Sequence, residues 1–120
     1  MNTNNIIRLM AVCGALLATS CVQRIADLTF MSTKNVDMNH PGGYYTAPNQ
    51  RSEGVDTAHI IVCFPTRIPN VKEAVDRAIE KNGPTCIGLS NMKLEHGFWY
   101  IPYIYGREYF KATGDPVYKH

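Results

Sequence analysis

The chain has 120 residues, a formal net charge of +2 and a hydrophobic fraction of 45%. This length suffices for one compact domain and is too short for two. Its twelve Lys and Arg and ten Asp and Glu are scattered along the sequence, without the basic cluster that nucleic-acid binding requires. We therefore expect one domain and no nucleic-acid partner.

The first twenty residues have the pattern of an export signal. Arg8 precedes an apolar segment at 9–17, which is too short for a transmembrane helix of about 20 residues. Ala18-Thr19-Ser20 satisfies the small-x-small rule of an ordinary signal peptidase, and Cys21 follows directly. The alternative is that residues 1–20 form a buried N-terminal helix of a cytoplasmic protein.

The run Leu17-Ala18-Thr19-Ser20-Cys21 resembles the bacterial lipoprotein box, in which a cysteine follows a small residue, receives diacylglycerol and becomes the mature N-terminus. Ala18 stands where that family usually has leucine, which is found one residue earlier, at Leu17. The resemblance implies a lipid anchor on Cys21. Val22 in place of aspartate implies sorting to the outer membrane, so we expect a periplasm-facing envelope protein.

Two cysteines, Cys63 and Cys86, remain after the signal is removed and Cys21 is acylated. In an oxidising periplasm they can form a disulfide, which contributes about 3 kcal/mol for a loop of this size. Alternatively, both are free and buried as small apolar side chains on neighbouring strands. Neither lies in a C-x-x-C pair or close before a histidine, so thiol catalysis is not predicted.

The first half of the mature chain predicts two strands separated by a long loop. Residues 21–25 are expected to be a tether, and 27–36 a half-buried strand with alternating apolar side chains. Turn-forming residues make 37–57 a loop, unless Tyr44-Tyr45-Thr46 forms a short edge strand. The β-branched run at 58–64 predicts the central strand of the sheet.

One helix is predicted between Asn70 and Asn82-Gly83-Pro84. Asn70 is a capping residue that lies three positions before Glu73. Apolar residues recur behind it at helical spacing and form one stripe: Val71, Ala74, Val75, Ala78 and Ile79.

Strand-like segments follow the helix at 86–95 and 98–110, with Gly97 expected at a turn between them. Pro102 and Gly106 predict an edge position or a bulge, because proline cannot donate a ladder hydrogen bond. The expected fold is a single α+β domain at 26–120. It has two layers: a mostly antiparallel sheet of about four strands, in the order β-β-α-β-β, with one face covered by the helix.

Two segments are similar to a group of small bacterial lipoproteins of unassigned function: Ala26-Asp27-Leu28-Thr29-Phe30-Met31-Ser32-Thr33-Lys34-Asn35-Val36 and Trp99-Tyr100-Ile101-Pro102-Tyr103-Ile104-Tyr105-Gly106. This resemblance implies export and a single domain. It implies no catalytic residue.

The segment at 98–110, in which seven of thirteen residues are aromatic, is called the aromatic segment, and it supplies the candidate binding surface: Trp99, Tyr100, Tyr103 and Tyr105. Tyrosine and tryptophan combine apolar area with a hydrogen-bonding group and dominate interfaces. The alternative is core packing, with about half of the aromatic side chains facing the helix. If these aromatic side chains instead form a row that faces solvent, we expect the row to contact a glycan, an envelope protein or lipid headgroups.

No predicted site is catalytic, and no metal or cofactor is expected. The histidines, His40, His59, His96 and His120, lack metal-ligand spacing. The acidic residues Glu95, Glu108 and Asp115 are the candidates for the paired carboxylates of glycoside hydrolysis. Only the distance between them in the folded protein can decide whether they form such a pair. The expected function is a non-enzymatic binding or structural lipoprotein of the envelope. The alternatives are a cell-wall or carbohydrate hydrolase and a surface exclusion or immunity lipoprotein.

Overall fold

The computed structural model of the chain describes residues 2–17 and 21–120. The predicted cleavage segment, Ala18-Thr19-Ser20, lies outside them. The elements in chain order are α1 (Thr3–Leu17), β1 (Cys21–Met31), β2 (Tyr44–Thr46), β3 (Ser52–Ile61), β4 (Phe64–Pro65), α2 (Val71–Glu80), β5 (Cys86–Ile101) and β6 (Tyr105–Lys119).

All six strands belong to one antiparallel sheet with the order β1-β5-β6-β3-β4. The two longest strands, β5 and β6, form a central hairpin whose turn is at 102–104. The short strand β2 pairs with residues 117–119 of β6, beyond the point where the pairing with β3 ends.

Helix α2 begins as the sequence predicts. Asn70 has extended backbone geometry, and its side chain accepts a hydrogen bond from the backbone N–H of Lys72. The apolar stripe of α2 packs onto β5 and β6. The buried core cluster consists of Ala74, Val75, Ala78, Ile79, Cys86, Leu89, Met92, Leu94 and Ala112.

The close contact between α2 and β3 depends on Gly54. A side chain at Gly54 would overlap the backbone carbonyl of Ala74 and the backbone amide of Ala78. Because this position has no Cβ, the helix backbone rests directly on the strand. Ser52, on the same face, donates to the Ala78 carbonyl at 2.6 Å and ties the helix to β3.

The helix covers only part of the sheet. Ten residues of α-helix extend about 15 Å, whereas the sixteen residues of β5 extend about 54 Å. We call the face that carries α2 the helix face and the other the open face. The part of the sheet beyond Leu94 and Ala112, which lies away from α2, is the distal half.

The expected four-strand sheet with one helix, in the order β-β-α-β-β, is wrong. The sheet has six strands, and the described residues contain two helices. The two additional strands are the short β2, which is the edge strand considered as an alternative within the 37–57 loop, and the two-residue β4. The first half of β3 was also missed, because its buried positions are Ser52, Gly54 and Asp56, while Glu53 is exposed. Small and polar residues face the helix there, so this half of β3 resembles a loop in sequence.

Other boundaries also differ from the expectations. Residues 21–25, expected as a tether, form the first part of β1, and all of 52–57, expected as part of a loop, belongs to β3. Of the run expected as the central strand, residues 58–61 form the last part of β3, and Phe64 belongs to β4. β3 is not central, since it lies between β6 and the two-residue strand β4. Gly97 lies inside β5 and not at a turn, and the ring of Tyr109 on β6 occupies the space of its missing side chain.

Candidate binding surface

The aromatic segment at 98–110 forms most of the distal half, and all seven of its aromatic residues are at least partly exposed. The expectation that about half of them belong to the core is wrong. Only Phe110 of the seven packs against the buried cluster. The reason is the length of α2, whose ten residues do not extend as far along the sheet as the other six.

On the open face, four side chains line a shallow groove of about 400 Å³: Trp99, Tyr105, Arg107 and Tyr109. The rings of Trp99 and Tyr105 meet edge to face, with centroids 6.0 Å apart. The guanidinium of Arg107 lies 5.7 Å from the centroid of the Tyr109 ring, within the range of a cation–π contact. His59 stacks on Tyr105 and bonds to its hydroxyl through Nδ1.

On the helix face, a second row of aromatic side chains continues beyond α2. Phe98 and Tyr100 have ring centroids 6.4 Å apart. Closer to the helix, the His96 ring lies 5.0 Å from that of Phe110, and its Nε2 is 2.7 Å from the Glu108 carboxylate. Both faces of the distal half therefore present aromatic area to solvent.

Glycines on neighbouring strands explain how these rings lie flat on the sheet. Gly97 pairs with Tyr109, and Gly106 pairs with Tyr100. In each pair the tyrosine ring occupies the position where the glycine would carry a Cβ. A glycine weakens a strand because it has no side chain to pack, and a ring lying across it compensates for part of that loss.

The two turns at the end of the distal half touch each other. The Tyr100 hydroxyl donates to the Val62 carbonyl and lies 3.7 Å from the Cys63 Sγ, and it accepts from the Tyr103 backbone N–H at 3.4 Å. The Val62 backbone N–H donates to the Ile104 carbonyl at 3.4 Å. We call these two turns and their flanks, residues 60–66 and 99–106, the distal tip.

The distal tip is apolar and exposed. Neither of its segments contains a charged residue. Its exposed large side chains are Ile61 (55% exposed), Val62 (45%), Phe64 (77%), Tyr103 (79%) and Ile104 (66%). Single exposed apolar residues are ordinary on protein surfaces, but an uncharged contiguous group marks an interaction site.

Cys21 lies at the same end of the sheet. It is the first residue of β1, it is exposed, and its Cα partner on β5 is Phe98. The candidate lipidation residue therefore lies beside the aromatic segment and not at the end that carries α2.

Of the predicted binding residues, the structure brings together Tyr100 and Tyr103 at the tip and places Trp99 and Tyr105 in the groove. Sequence reasoning missed the contribution of Ile61, Val62 and Phe64, which the chain brings to the tip from β3 and β4. The absence of charge between Ile60 and Thr66 was the available signal, but the same run also fits a buried strand.

The two remaining cysteines are free and lie at opposite ends of the sheet. Cys63 is exposed at the distal tip, and Cys86 is buried at the other end of β5. About 40 Å of strand separates these ends, whereas a disulfide requires Cα atoms within about 7 Å. The structure therefore has no Cys63–Cys86 disulfide. The alternative of two buried thiols holds for Cys86 and not for Cys63.

The acidic residues do not converge. Glu95 lies on the open face, where it pairs with the Lys93 ammonium at 2.8 Å, whereas Glu108 lies on the helix face. Asp115 is buried near Asn91, towards the opposite end of β6. Within residues 2–17 and 21–120, no three His, Cys, Asp or Glu side chains are grouped closely enough to hold a metal ion.

No family model, curated protein or solved structure matches this chain. In the described ranges, neither helix is long and apolar enough to cross a membrane. The sequence around Cys21 and the surface chemistry of the distal half are therefore the basis for assigning a function.

Proposed function

We propose that this protein is a non-enzymatic lipoprotein of the bacterial envelope, anchored through acyl chains on Cys21, whose small β-sheet domain is a binding or structural module. The proposal depends above all on the position of Cys21, directly behind a short apolar segment and small residues. Sorting to the outer membrane follows from Val22 at the next position.

The packing of α1 is consistent with its removal. Every described side chain of α1 is exposed, including Ile7, Leu9, Met10 and Val12, each of which is more than half exposed. The hydrophobic core of the described residues draws its members from Leu28 onwards. Loss of the described side chains of α1, those of residues 3–15, would therefore cost the domain no buried apolar contact.

The anchor itself is energetically sufficient. Each methylene buried in a bilayer contributes about 0.8 kcal/mol, and two or three acyl chains give stable attachment where a single chain gives only reversible binding. The domain then needs no transmembrane segment to remain on the membrane.

The test is the covalent state and the location of the expressed full chain. We expect mass spectrometry to find a mature N-terminus at Cys21 carrying acyl chains, and fractionation to recover the protein with outer membranes. Cys21→Ala should abolish acylation and membrane retention. Cys13→Ala and Cys63→Ala are the matched controls, since one lies in the removed segment and the other is an exposed thiol of the domain.

Val22→Asp tests the sorting step separately, and it should move the acylated protein to the inner membrane. An unacylated protein that begins at Met1 and is found in the cytosol would refute the proposal. An acylated protein whose Val22→Asp variant stays in the outer membrane would refute only the sorting.

A further inference from the structure

We propose that the distal tip, residues 60–66 and 99–106, inserts into the interfacial layer of the same phospholipid bilayer that holds the acyl chains of Cys21. This inference rests on the proposed lipidation and adds a second membrane contact to it. In this proposal, the exposed apolar tip contacts lipid and not a protein or a glycan.

The first argument is the position of the tip relative to the anchor. Cys21 is level with Phe98 on β5, and the strand continues three residues further to Ile101 before it turns. At about 3.4 Å per residue, the tip reaches about 10 Å beyond Cys21 along the strand direction. When the acylated cysteine lies at the membrane surface and the strands are perpendicular to it, the tip reaches this far into the bilayer. Apolar segments at membrane interfaces are buried to a similar depth of about 5–10 Å.

The second argument is the order of side chains along the sheet. The exposed apolar residues Phe64, Tyr103 and Ile104 lie at the end, and Trp99 and Tyr105 lie behind them with polar groups on their rings. The first charged residue on β6 is Arg107, which is exposed. This sequence of apolar, aromatic and then charged side chains is that of proteins that sit at a membrane–water interface.

The third argument is that the backbone of the tip is largely hydrogen-bonded within the protein. The Ile104 backbone N–H donates to the Ile101 carbonyl at 3.2 Å, and the Val62 N–H donates to the Ile104 carbonyl. The Tyr100 hydroxyl donates to the Val62 carbonyl. Unpaired backbone groups are costly in lipid, so this pairing lowers the cost of leaving water.

The fourth argument is backbone strain at both turns. Val62 has φ of 61° and Tyr103 has φ of 62°, in the left-handed region that favours glycine. A β-branched residue is strained there. At both positions glycine would relieve the strain, yet the chain carries a large apolar side chain. This fits side chains that serve in binding and not in stabilising the fold.

The experiment uses the purified acylated protein in vesicles of phosphatidylethanolamine with a minor fraction of phosphatidylglycerol. Trp99 is the only tryptophan and lies at the base of the tip, so its fluorescence reports the position of the tip. Lipids brominated near the headgroup end of the acyl chain should quench Trp99. High salt should not reverse the quenching, because the tip carries no charge.

The double variant Phe64→Ser/Ile104→Ser should reduce the quenching while acylation and vesicle attachment persist. Each lost apolar side chain should lower the docking equilibrium about tenfold. Met38→Ser/Tyr45→Ser is the matched control, since both side chains are well exposed but lie outside the tip. Its quenching should equal that of the native protein.

Val62→Gly provides a second test that does not depend on a polar substitution. It should weaken quenching without lowering the urea midpoint of unfolding, because glycine removes the strain. An acylated protein whose Trp99 is not quenched, or whose tip variants behave like the control, would overturn the insertion and leave the lipoprotein proposal intact. A protein without acyl chains would overturn both.

Discussion

Arg67 and Asp56 form a two-point ion pair that joins the segment before α2 to the middle of β3. Arg67 Nη1 donates to Asp56 Oδ2 at 3.0 Å, and Nη2 donates to Oδ1. The carboxylate is fully buried and also accepts from the Asn70 backbone N–H at 2.8 Å, with Arg77 Nη1 3.1 Å from Oδ1. Asp56 thus holds the start of α2 against the sheet.

Asp56→Asn should destabilise the fold by about 3 kcal/mol. The change leaves Arg67 and Arg77 without their shared countercharge and weakens a charge-assisted hydrogen-bond network. The two arginine side chains are about half exposed, so water limits the loss. Urea unfolding of the purified protein measures the change. Asp27→Asn removes an exposed pair with Arg24 and should cost less than about 1 kcal/mol; equal losses in the two variants would contradict this account.

Stability should fall in acid because of the same carboxylate. The hydrogen bonds from the Arg67 guanidinium, and then that from the Asn70 amide, hold the pKa of Asp56 below its usual range despite burial. In the unfolded chain its pKa is about 3.9. The unfolded state therefore binds more protons near that pH, and the stabilisation present above pH 4 is lost as the pH falls towards the folded pKa.

Urea unfolding at several values between pH 3 and pH 7 measures this dependence. Asp56→Asn should flatten the slope below pH 4. Some slope should remain, because the Lys72 ammonium lowers the pKa of Asp76 and the Lys93 ammonium lowers that of Glu95. A variant with the native slope would show that other groups govern acid unfolding.

Gly54→Ala should destabilise the fold by about 3 kcal/mol or prevent it from folding. The new methyl group would overlap backbone atoms of α2, which cannot rotate away as a side chain can. Thermal unfolding followed by circular dichroism measures the loss. Gly42→Ala is the control, because its methyl group would meet the His40 side chain and His120 at 3.1 Å or more, a contact that a shift of a few tenths of an ångström relieves. We expect a change below about 0.5 kcal/mol there.

In the processed, acylated protein that we propose, the thiols of Cys63 and Cys86 should react at very different rates. Cys63 is exposed at the tip, whereas burial raises the pKa of the Cys86 thiol and shields it from reagent. With a water-soluble thiol reagent at pH 8, we expect one fast thiol, lost in Cys63→Ser, and one that reacts only in denaturant. Two slow thiols, or mass-spectrometric evidence of a disulfide, would contradict the arrangement.

Local patterns predicted the elements whose side chains follow a regular period. The stripe of α2 and its cap at Asn70 were correctly located, because an amphipathic helix and its first turn depend on residues close in sequence. The first half of β3 was not, because its buried positions are Ser52, Gly54 and Asp56. Their burial depends on the helix backbone and on Arg67, which lie elsewhere in the chain.

The candidate site was predicted in part for the same reason. The sequence shows the aromatic residues at 98–110 as a cluster. Whether their side chains are core or surface depended on how far α2 extends along β5 and β6. The second half of the tip, around Val62 and Phe64, joined it through the pairing of β3 with β6, the Val62–Ile104 backbone hydrogen bond and the hydroxyl of Tyr100.

By itself, the sequence determined the short apolar segment before Cys21, the helix at 71–80 and the uncharged character of the tip segments, since each is a property of neighbouring residues. The tertiary structure alone decided that Cys21 and both turns share one end of the sheet. That placement follows from antiparallel pairing between strands far apart in the chain, whose register is set by contacts that no local pattern contains.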